Sequence, residues 1–165
     1  MGASRDLDFS EYFGARVQRF RRVAFALCGD WHGAEDLVQA MFVQLYRRWR
    51  RVRPDTVDAY ARRILLNAFL AGRKKAVREH VTSDPPDRAS SPDHDSHDRV
   101  DLERALTGLT PRQRAMVVLR FLEDLPVAEV AALLGVAEGT VKSQTARGVE
   151  ALRAALPAPT TTEEW

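Results

Sequence analysis

The sequence predicts an all-α protein made of two small helical domains joined by a flexible acidic linker. Apolar residues recur at steps of three and four along most of the chain, which is the spacing of amphipathic helices, and no strand-like alternation reaches four residues. Residues 79–98 interrupt this pattern with three prolines and with six acidic residues against one Arg, a composition that cannot form a packed core. We therefore expect domains at residues 1–78 and 99–156 and a polar tail at 157–165.

The first domain is predicted to contain three helices, at about Phe9–Leu27, Ala34–Trp49 and Val57–Val77. Gly29 separates the first two, and Pro54 stops the second helix from continuing into the third. The second helix is expected to have an acidic first turn, as the helix dipole favours. Three helices with facing apolar stripes predict a small bundle.

The second domain is predicted to end in a helix-turn-helix. A helix opens with Thr110 as N-cap, Pro111 at the first position and Gln113 completing a capping box. Two further periodic runs lie within Leu125–Arg153 and are separated by Gly135, which can adopt the positive φ of a tight turn.

The helix after that turn is polar on its outward side, where side chains could reach base edges and phosphates. DNA binding is therefore the favoured interpretation, and an αα-hairpin that only packs is the alternative. The outward residues are Lys142, Ser143, Gln144 and Arg147.

The positive charge is concentrated in the first domain. Residues 1–78 hold 16 Lys and Arg against 8 Asp and Glu, whereas residues 99–165 hold eight against nine, so a polyanion is the expected partner of the first domain. Basic residues near Trp49 and Tyr60 could grip single-stranded nucleic acid; a solvated basic face beside core aromatics is an equally good interpretation. The basic residues concerned are Arg50, Arg51, Arg53, Arg62, Arg63, Arg73, Lys74 and Lys75.

Other classes of function have little support. The chain has no Gly-rich phosphate loop, GxSxG or HExxH motif, and so no catalytic residue or cofactor is predicted. His94 and His97 belong to an acidic cluster of metal-ligand types, but a solvated linker is favoured over a metal-dependent enzyme because no scaffold fixes the cluster. With one Cys, no secretory signal and no run of about 18 apolar residues, we expect a cytoplasmic protein without membrane contact.

Two segments, GAEDLVQAMFVQLYRRW (33–49) and LTPRQRAMVVLRFLEDLPVAEVAALLGVAEGTVKSQTARGVEALR (109–153), resemble bacterial sigma factors of the two-domain extracytoplasmic-function group. The resemblance implies a first domain, region 2, that binds the β′ clamp helices of core RNA polymerase and opens the −10 promoter element. It implies a second domain, region 4, that binds the −35 element and the polymerase β flap. Promoter DNA and an anti-sigma factor are further partners implied by this resemblance, and the acidic linker would lie in a basic polymerase channel.

The resemblance also assigns residues to these roles. Polymerase binding falls on Glu35, Asp36, Leu37, Gln39 and Phe42. The −10 element falls to Arg50, Arg51, Arg53, Tyr60, Arg63, Asn67, Arg73 and Lys74. The −35 element falls to Thr140, Lys142, Ser143, Gln144 and Arg147.

Three departures from the family pattern bear on these roles. Leu70–Arg73 stands where many members carry an Asp-x-x-Arg pattern, so only Arg73 of that strand-opening pattern is matched. Gln144 takes a place often held by Arg, so the −35 preference cannot be copied from relatives. Ala137 stands where Ser would cap the recognition helix, a loss of about 1 kcal/mol. The alternative function is a stand-alone helix-turn-helix regulator with a helical N-terminal interaction domain, which would bind a palindromic site without polymerase.

Overall fold

A computed structural model describes residues 2–79 and 97–156, and for residues 73–79 and 97–99 it describes the backbone alone. Both ranges are almost entirely helical and contain no strand, which confirms the all-α prediction. The helices are α1 Gly2–Cys28, α2 Trp31–Arg47, α3 Val57–Glu79, α4 His97–Thr107, α5 Pro111–Val117, a π-helical turn Val118–Leu122, α6 Val127–Leu134 and α7 Glu138–Ala155. Within these ranges, no helix has the length and apolar character to cross a bilayer.

The predictions for most of the linker and for the tail lie outside the described residues, 80–96 and 157–165. This includes His94 of the acidic cluster. His97 opens α4, so the helical structure of the second group begins two residues before the predicted boundary at 99.

The turn between α1 and α2 is tighter than expected. Gly29 has φ +78°, and the carboxylate of Asp30 accepts the N–H of Gly33 at 2.6 Å as the N-cap of α2. The helix therefore begins at Trp31, three residues before the predicted start. As a consequence the expected acidic first turn is wrong: Glu35 and Asp36 lie one turn further into the helix.

The first three helices form the predicted bundle. Its fully enclosed side chains include Leu27, Met41, Leu45 and Leu65, one or more from each helix. α3 buries a wider stripe than predicted because Phe69 is also inside, at 3% exposure. The stripe widens on a helix that packs against neighbours on two sides.

The second domain confirms the capping box and the helix-turn-helix. The Thr110 hydroxyl accepts the N–H of Gln113, and the Gln113 side chain accepts the N–H of Thr110. Gly135 caps α6 in the left-handed conformation, and Val141 of α7 is completely buried. Ala137 is the N-cap of α7 and makes no side-chain cap bond, as its apolar side chain requires.

The two domains pack against one another around a buried guanidinium. Arg114 of α5 is 3% exposed and donates hydrogen bonds to backbone carbonyls at the ends of two helices. One, at 2.7 Å, goes to Leu27 of α1, and another, at 2.8 Å, goes to Leu106 of α4. Helix C-termini carry partial negative charge, so one cation stabilises both ends and joins the domains.

Candidate nucleic-acid interface

The predicted polymerase-binding residues lie on α2, mostly on its exposed face. Glu35, Asp36 and Gln39 are exposed, and Leu37 is half-buried against the core. Glu35 also forms an exposed ion pair of 2.8 Å with Arg21 of α1. Beside this face, α1 and α2 enclose a groove of about 790 Å³.

That groove is lined by apolar side chains which the sequence analysis did not single out. Phe13, Val43 and Tyr46 line it and are each 41–47% exposed. Exposed aromatic and aliphatic side chains clustered in one groove are typical of a surface that binds another protein. Phe13 and Tyr46 follow the apolar spacing of their helices, but that spacing does not reveal where the edge of a bundle lies.

Phe42 has a different position from the other four. It is only 5% exposed and packs edge-on against Phe9 and Phe20, with a closer contact of 4.7 Å between ring centroids to Phe13. It forms the floor of the groove rather than an exposed contact. Replacing it would create a cavity in the bundle and so would affect stability before binding.

Four of the predicted −10 residues come together. Arg51 and Arg53, from the loop after α2, and Tyr60 and Arg63, from α3, line one cavity of about 900 Å³. The three arginines and the half-exposed tyrosine ring supply the charge and the stacking face that a single strand requires.

The remaining −10 residues extend away from this cavity. Asn67 is exposed one turn beyond Arg63 on the same side of α3. Arg50 lines a separate cleft beside Trp49. Arg73 and Lys74 continue along α3, but their side chains lie outside the described part of the chain.

The cavity's other wall comes from the second domain. Leu125 and, from α6, Glu129, Ala132 and Leu133 face the −10 residues across it. The first helix of the helix-turn-helix therefore covers the candidate single-strand site in this arrangement of the domains.

An ionic cluster beside that wall links the domains. The carboxylate of Glu123, with a side chain 2% exposed, accepts from Arg19 at 2.9 and 3.1 Å and from Arg62 at 2.9 Å. The hydrogen bond to Glu123 raises the pKa of Arg19. Arg62, expected outside, has a side chain only 13% exposed, because its charge is paired with a residue 61 positions away.

A second carboxylate, that of Asp58, links the start of α3 to α1 by hydrogen bonds. Asp58 accepts from the Tyr12 hydroxyl at 2.8 Å and from Arg16 at 3.1 Å. Burial raises the pKa of Asp58, but the hydrogen bonds from Tyr12 and Arg16 outweigh it, so that the pKa lies below its usual value. Burial, followed by the bond to Asp58, raises the pKa of Tyr12. These contacts hold the end of the basic loop in place.

The −35 residues divide between two sides of α7. Thr140, Ser143 and Arg147 are exposed on one side, at the i, i+3, i+7 spacing of one helix face. Lys142 is exposed on the other side, where it lines a cleft with Arg120. A helix entering a major groove by its N-terminal end can use both sides.

Gln144 is the exception among these residues. It is half-buried, and its side-chain oxygen accepts a hydrogen bond of 2.8 Å from Nε2 of Gln113 on α5. The expectation that Gln144 points freely outward is therefore wrong. The local sequence indicates only a capping role for Gln113, since no local pattern reveals a partner 31 positions away.

Comparison with protein families gives two matches that divide the chain as its helices do. Residues 13–79 match the model described as Sigma-70 region 2, and residues 99–152 match the one described as Sigma-70, region 4. The two matched ranges coincide with the two helical groups on either side of the acidic segment.

Individual relatives agree with these matches. The chain is 37% identical over 150 residues to the RNA polymerase sigma-E factor of Streptomyces avermitilis, covering 89% of this chain and 84% of that relative. It is 36% identical over 154 residues to the ECF RNA polymerase sigma factor SigE of Mycolicibacterium smegmatis, covering 88% of this chain. The match spans 60% of the Mycolicibacterium protein's length.

Among solved structures, the sigma factor RpoE of Bartonella quintana, crystallised with the anti-sigma factor NepR, matches with a TM-score of 0.77 and 25% identity. The match covers 90% of this chain and 96% of that one. CnrH, solved in complex with the cytosolic domain of CnrY, matches with a TM-score of 0.61 and 20% identity, which is a likeness of fold.

Proposed function

The chain belongs to the extracytoplasmic-function group of RNA polymerase sigma factors, and from this membership we propose that it is a promoter-specificity subunit of RNA polymerase. It binds core polymerase in the cytoplasm, reads the −10 and −35 elements, and helps to melt the DNA without performing bond chemistry itself. The observation that carries the proposal is the presence of both sigma regions, in order, in one chain. A helix-turn-helix alone would be shared with many regulators.

We assign polymerase binding to the exposed face of α2 and the adjoining groove. Asp36 and Gln39 offer a polar rim, and the groove beside them offers Phe13, Val43 and Tyr46 as apolar anchors. A polar rim around apolar anchors is the usual composition of a protein interface. The β′ clamp helices are the partner that family membership indicates for this surface.

We assign −10 melting to the cavity residues Arg51, Arg53, Tyr60 and Arg63 and to Asn67 beyond them. A flipped base costs a few kcal/mol of unstacking, which stacking on Tyr60 and phosphate contacts to the arginines would offset. Arg50, Arg73 and Lys74 extend the basic track on either side.

We assign −35 recognition to α7, with Thr140, Ser143 and Arg147 on one side and Lys142 on the other. For the β flap, the end of the π-helical turn offers Phe121 and Leu122, which are 63% and 50% exposed. Two adjacent large apolar side chains left in solvent favour a protein partner there.

Promoter binding requires the domains to separate. The two elements are about 25 base pairs apart, which is roughly 85 Å of duplex. α7 packs on α6, and packed helices lie roughly 8–10 Å apart, while α6 forms a wall of the −10 cavity. The two reading sites are therefore far too close in the described arrangement to span both elements.

An anti-sigma factor would be a partner of this arrangement. RpoE of Bartonella quintana was crystallised with the anti-sigma factor NepR, and CnrH was solved in complex with the cytosolic domain of CnrY. We propose that an anti-sigma factor binds this chain while its two domains are packed together, since the −10 cavity is then covered by α6.

Transcription in vitro tests the function. The purified chain is added to core polymerase with a genomic promoter library, and transcripts with defined start sites are expected. Asp36→Arg reverses a charge on the exposed face of α2 and should abolish these transcripts, whereas Glu11→Arg makes the same change at an exposed position of α1 and should preserve them. If the chain instead retains palindromic duplex DNA without binding polymerase, it is a stand-alone regulator.

A further inference from the structure

The carboxamide of Gln113 has a fixed orientation. Its Oε1 lies 3.4 Å from the backbone nitrogen of Thr110, which can only donate a hydrogen bond. The oxygen must therefore face Thr110, and the nitrogen Nε2 must face away from it. The capping box that begins α5 thus decides which end of Gln113 is presented to α7.

The orientation of Gln113 determines that of the Gln144 carboxamide. Nε2 of Gln113 is also only a donor, and it lies 2.8 Å from the Gln144 side chain, so Gln144 must turn its oxygen toward Gln113. Its own Nε2 then faces the other way. Among the residues that the structure describes, none accepts a hydrogen bond from this nitrogen.

Gln144 lies at the edge of the face that carries the −35 residues. Ser143 is its neighbour, and Arg147 follows three positions later on the same side of α7. On the other flank, Val141 and Thr145 are buried in the domain. The free nitrogen of Gln144 is the part of its side chain that remains for a base.

A free glutamine reads adenine with one donor and one acceptor, through the N7 and N6 positions. A glutamine whose oxygen is already engaged offers donors only. Guanine presents the acceptors N7 and O6 in the major groove and thymine presents O4, whereas adenine places the donor N6 beside its single acceptor N7 and cytosine presents the donor N4. A carboxamide that offers only its nitrogen therefore fits guanine or thymine and leaves N6 of adenine or N4 of cytosine without an acceptor.

We propose that Gln113 is a positioning residue that fixes the carboxamide of Gln144 as a hydrogen-bond donor, so that Gln144 selects guanine or thymine in the −35 element. This proposal rests on the proposed function, since it concerns the base preference of the same recognition helix. It requires that one base of the −35 element present a hydrogen-bond acceptor in the major groove.

Gln113→Glu is the decisive variant. Glu is as good a capping-box residue as Gln, so one carboxylate oxygen still accepts the N–H of Thr110. The other oxygen can only accept, so Gln144 must now turn its nitrogen toward position 113 and present its oxygen to the DNA. The preferred base should change to one with a donor, adenine or cytosine.

The readout is the base frequency among transcribed promoters when the holoenzyme is given a library with a randomised −35 element. Gln144→Ala first identifies the position that Gln144 reads, as the one whose preference disappears. At that position Gln113→Glu should lower the ratio of guanine and thymine to adenine and cytosine by about fivefold or more, the effect of a single hydrogen bond. In the Gln144→Ala background the same change should have no effect on this ratio.

Two further variants separate positioning from charge and stability. Arg112→Gln makes the same change in net charge at the exposed neighbouring position and should weaken binding to all sequences without altering the ratio. Gln113→Leu removes the donor without adding charge, so Gln144 can turn either way and the preference should relax. The proposal would be refuted if Gln113→Glu left the base ratio unchanged, or if Gln144→Ala removed the base preference at no promoter position. Transcription by the unmodified chain would in that case still uphold the sigma function. Absence of transcripts from the unmodified chain would overturn both.

Discussion

At the scale of single residues, Asp58 shows how one carboxylate can set the acid stability of the first domain. Its pKa lies below the usual value because hydrogen bonds from Tyr12 and Arg16 outweigh the effect of burial. A carboxyl group whose pKa is lowered on folding stabilises the fold above its unfolded pKa, about 4. That contribution is lost as the pH falls from there through the folded pKa.

Asp58→Asn should therefore lower the free energy of unfolding at pH 7 and flatten its dependence on pH below about 4. Urea unfolding between pH 3 and pH 7 measures both effects. Asp55→Asn is the matched control, since Asp55 is exposed in the neighbouring loop. If the free energy of unfolding of Asp58→Asn fell as steeply with decreasing pH as that of the unmodified chain, other carboxylates would be responsible for the acid sensitivity.

The residue scale is also where sequence reasoning was least complete. Glu123, Arg62 and Arg114 are buried or nearly buried charged side chains, and nothing in the adjacent sequence distinguishes them from exposed ones. Their burial depends on partners up to 104 positions away. Gln144 lies on a helix, α7, as its sequence pattern predicts, but the orientation of its side chain depends on Gln113 across the domain.

At the scale of elements, α7 contains two glycines with opposite surroundings. A Cβ at Gly148 would lie 2.8 Å from Cγ2 of the buried Val117, whereas a Cβ at Gly139 would meet nothing within 4 Å. Gly148 is therefore required by the close approach of α5. Gly139 carries only the entropic cost of a glycine in a helix.

Gly148→Ala should destabilise the second domain by about 1 kcal/mol or more, because overpacking outweighs the gain in helix propensity. Gly139→Ala, the matched control, should stabilise it by roughly 0.5–1 kcal/mol. Thermal unfolding of the two variants measures the difference. Equal shifts in the same direction would mean that α5 moves away at little cost.

Helices themselves were predictable, and their ends were predictable where capping chemistry is local. Thr110 and Gln113 define the start of α5, and Gly135 defines the end of α6, as expected from their positions in the sequence. The predicted start of α2 is too late because the apolar pattern does not identify Asp30 as its N-cap. The π-helical turn at Val118–Leu122 has no signature in its apolar sequence.

At the scale of the whole molecule, Glu123 is, with Arg114, one of two buried charged residues that join the domains. Its side chain is 2% exposed between Arg19 and Arg62. Glu123→Gln would leave two guanidinium groups facing a neutral amide. Removing one partner of a buried ion pair lowers the free energy of unfolding by about 3 kcal/mol, because the other charge stays buried without a counter-charge.

We therefore expect Glu123→Gln to lower the unfolding midpoint in urea and to increase the radius of gyration measured by small-angle X-ray scattering, as the domains separate. Asp124→Asn removes the charge of the adjacent exposed carboxylate and should change neither quantity; Asn also tolerates the φ of +52° at this position. A compact Glu123→Gln variant would mean that apolar contacts and Arg114 suffice to hold the domains together.

The division of the chain into two helical groups was predictable from its composition, but the contact between the groups was not. The prolines and charges of residues 79–98 predict a segment between two helical groups, and the described helices end at Glu79 and resume at His97. This segment contains no information on whether the groups touch. That contact arises from complementary surfaces, with Glu123 meeting Arg19 and Arg62, and such complementarity is visible only in three dimensions.

The ionic cluster at Glu123 has a quantitative consequence for gene expression. A ligand that binds only the separated domains has its apparent affinity reduced by the fraction of molecules in that state. Each 1.4 kcal/mol by which the Glu123 contacts favour the packed state therefore lowers the yield of initiating complexes about tenfold when polymerase is scarce. Mutations at Arg19 or Glu123 would thus change expression from every promoter of the regulon by the same factor, and would leave the choice of promoters unchanged.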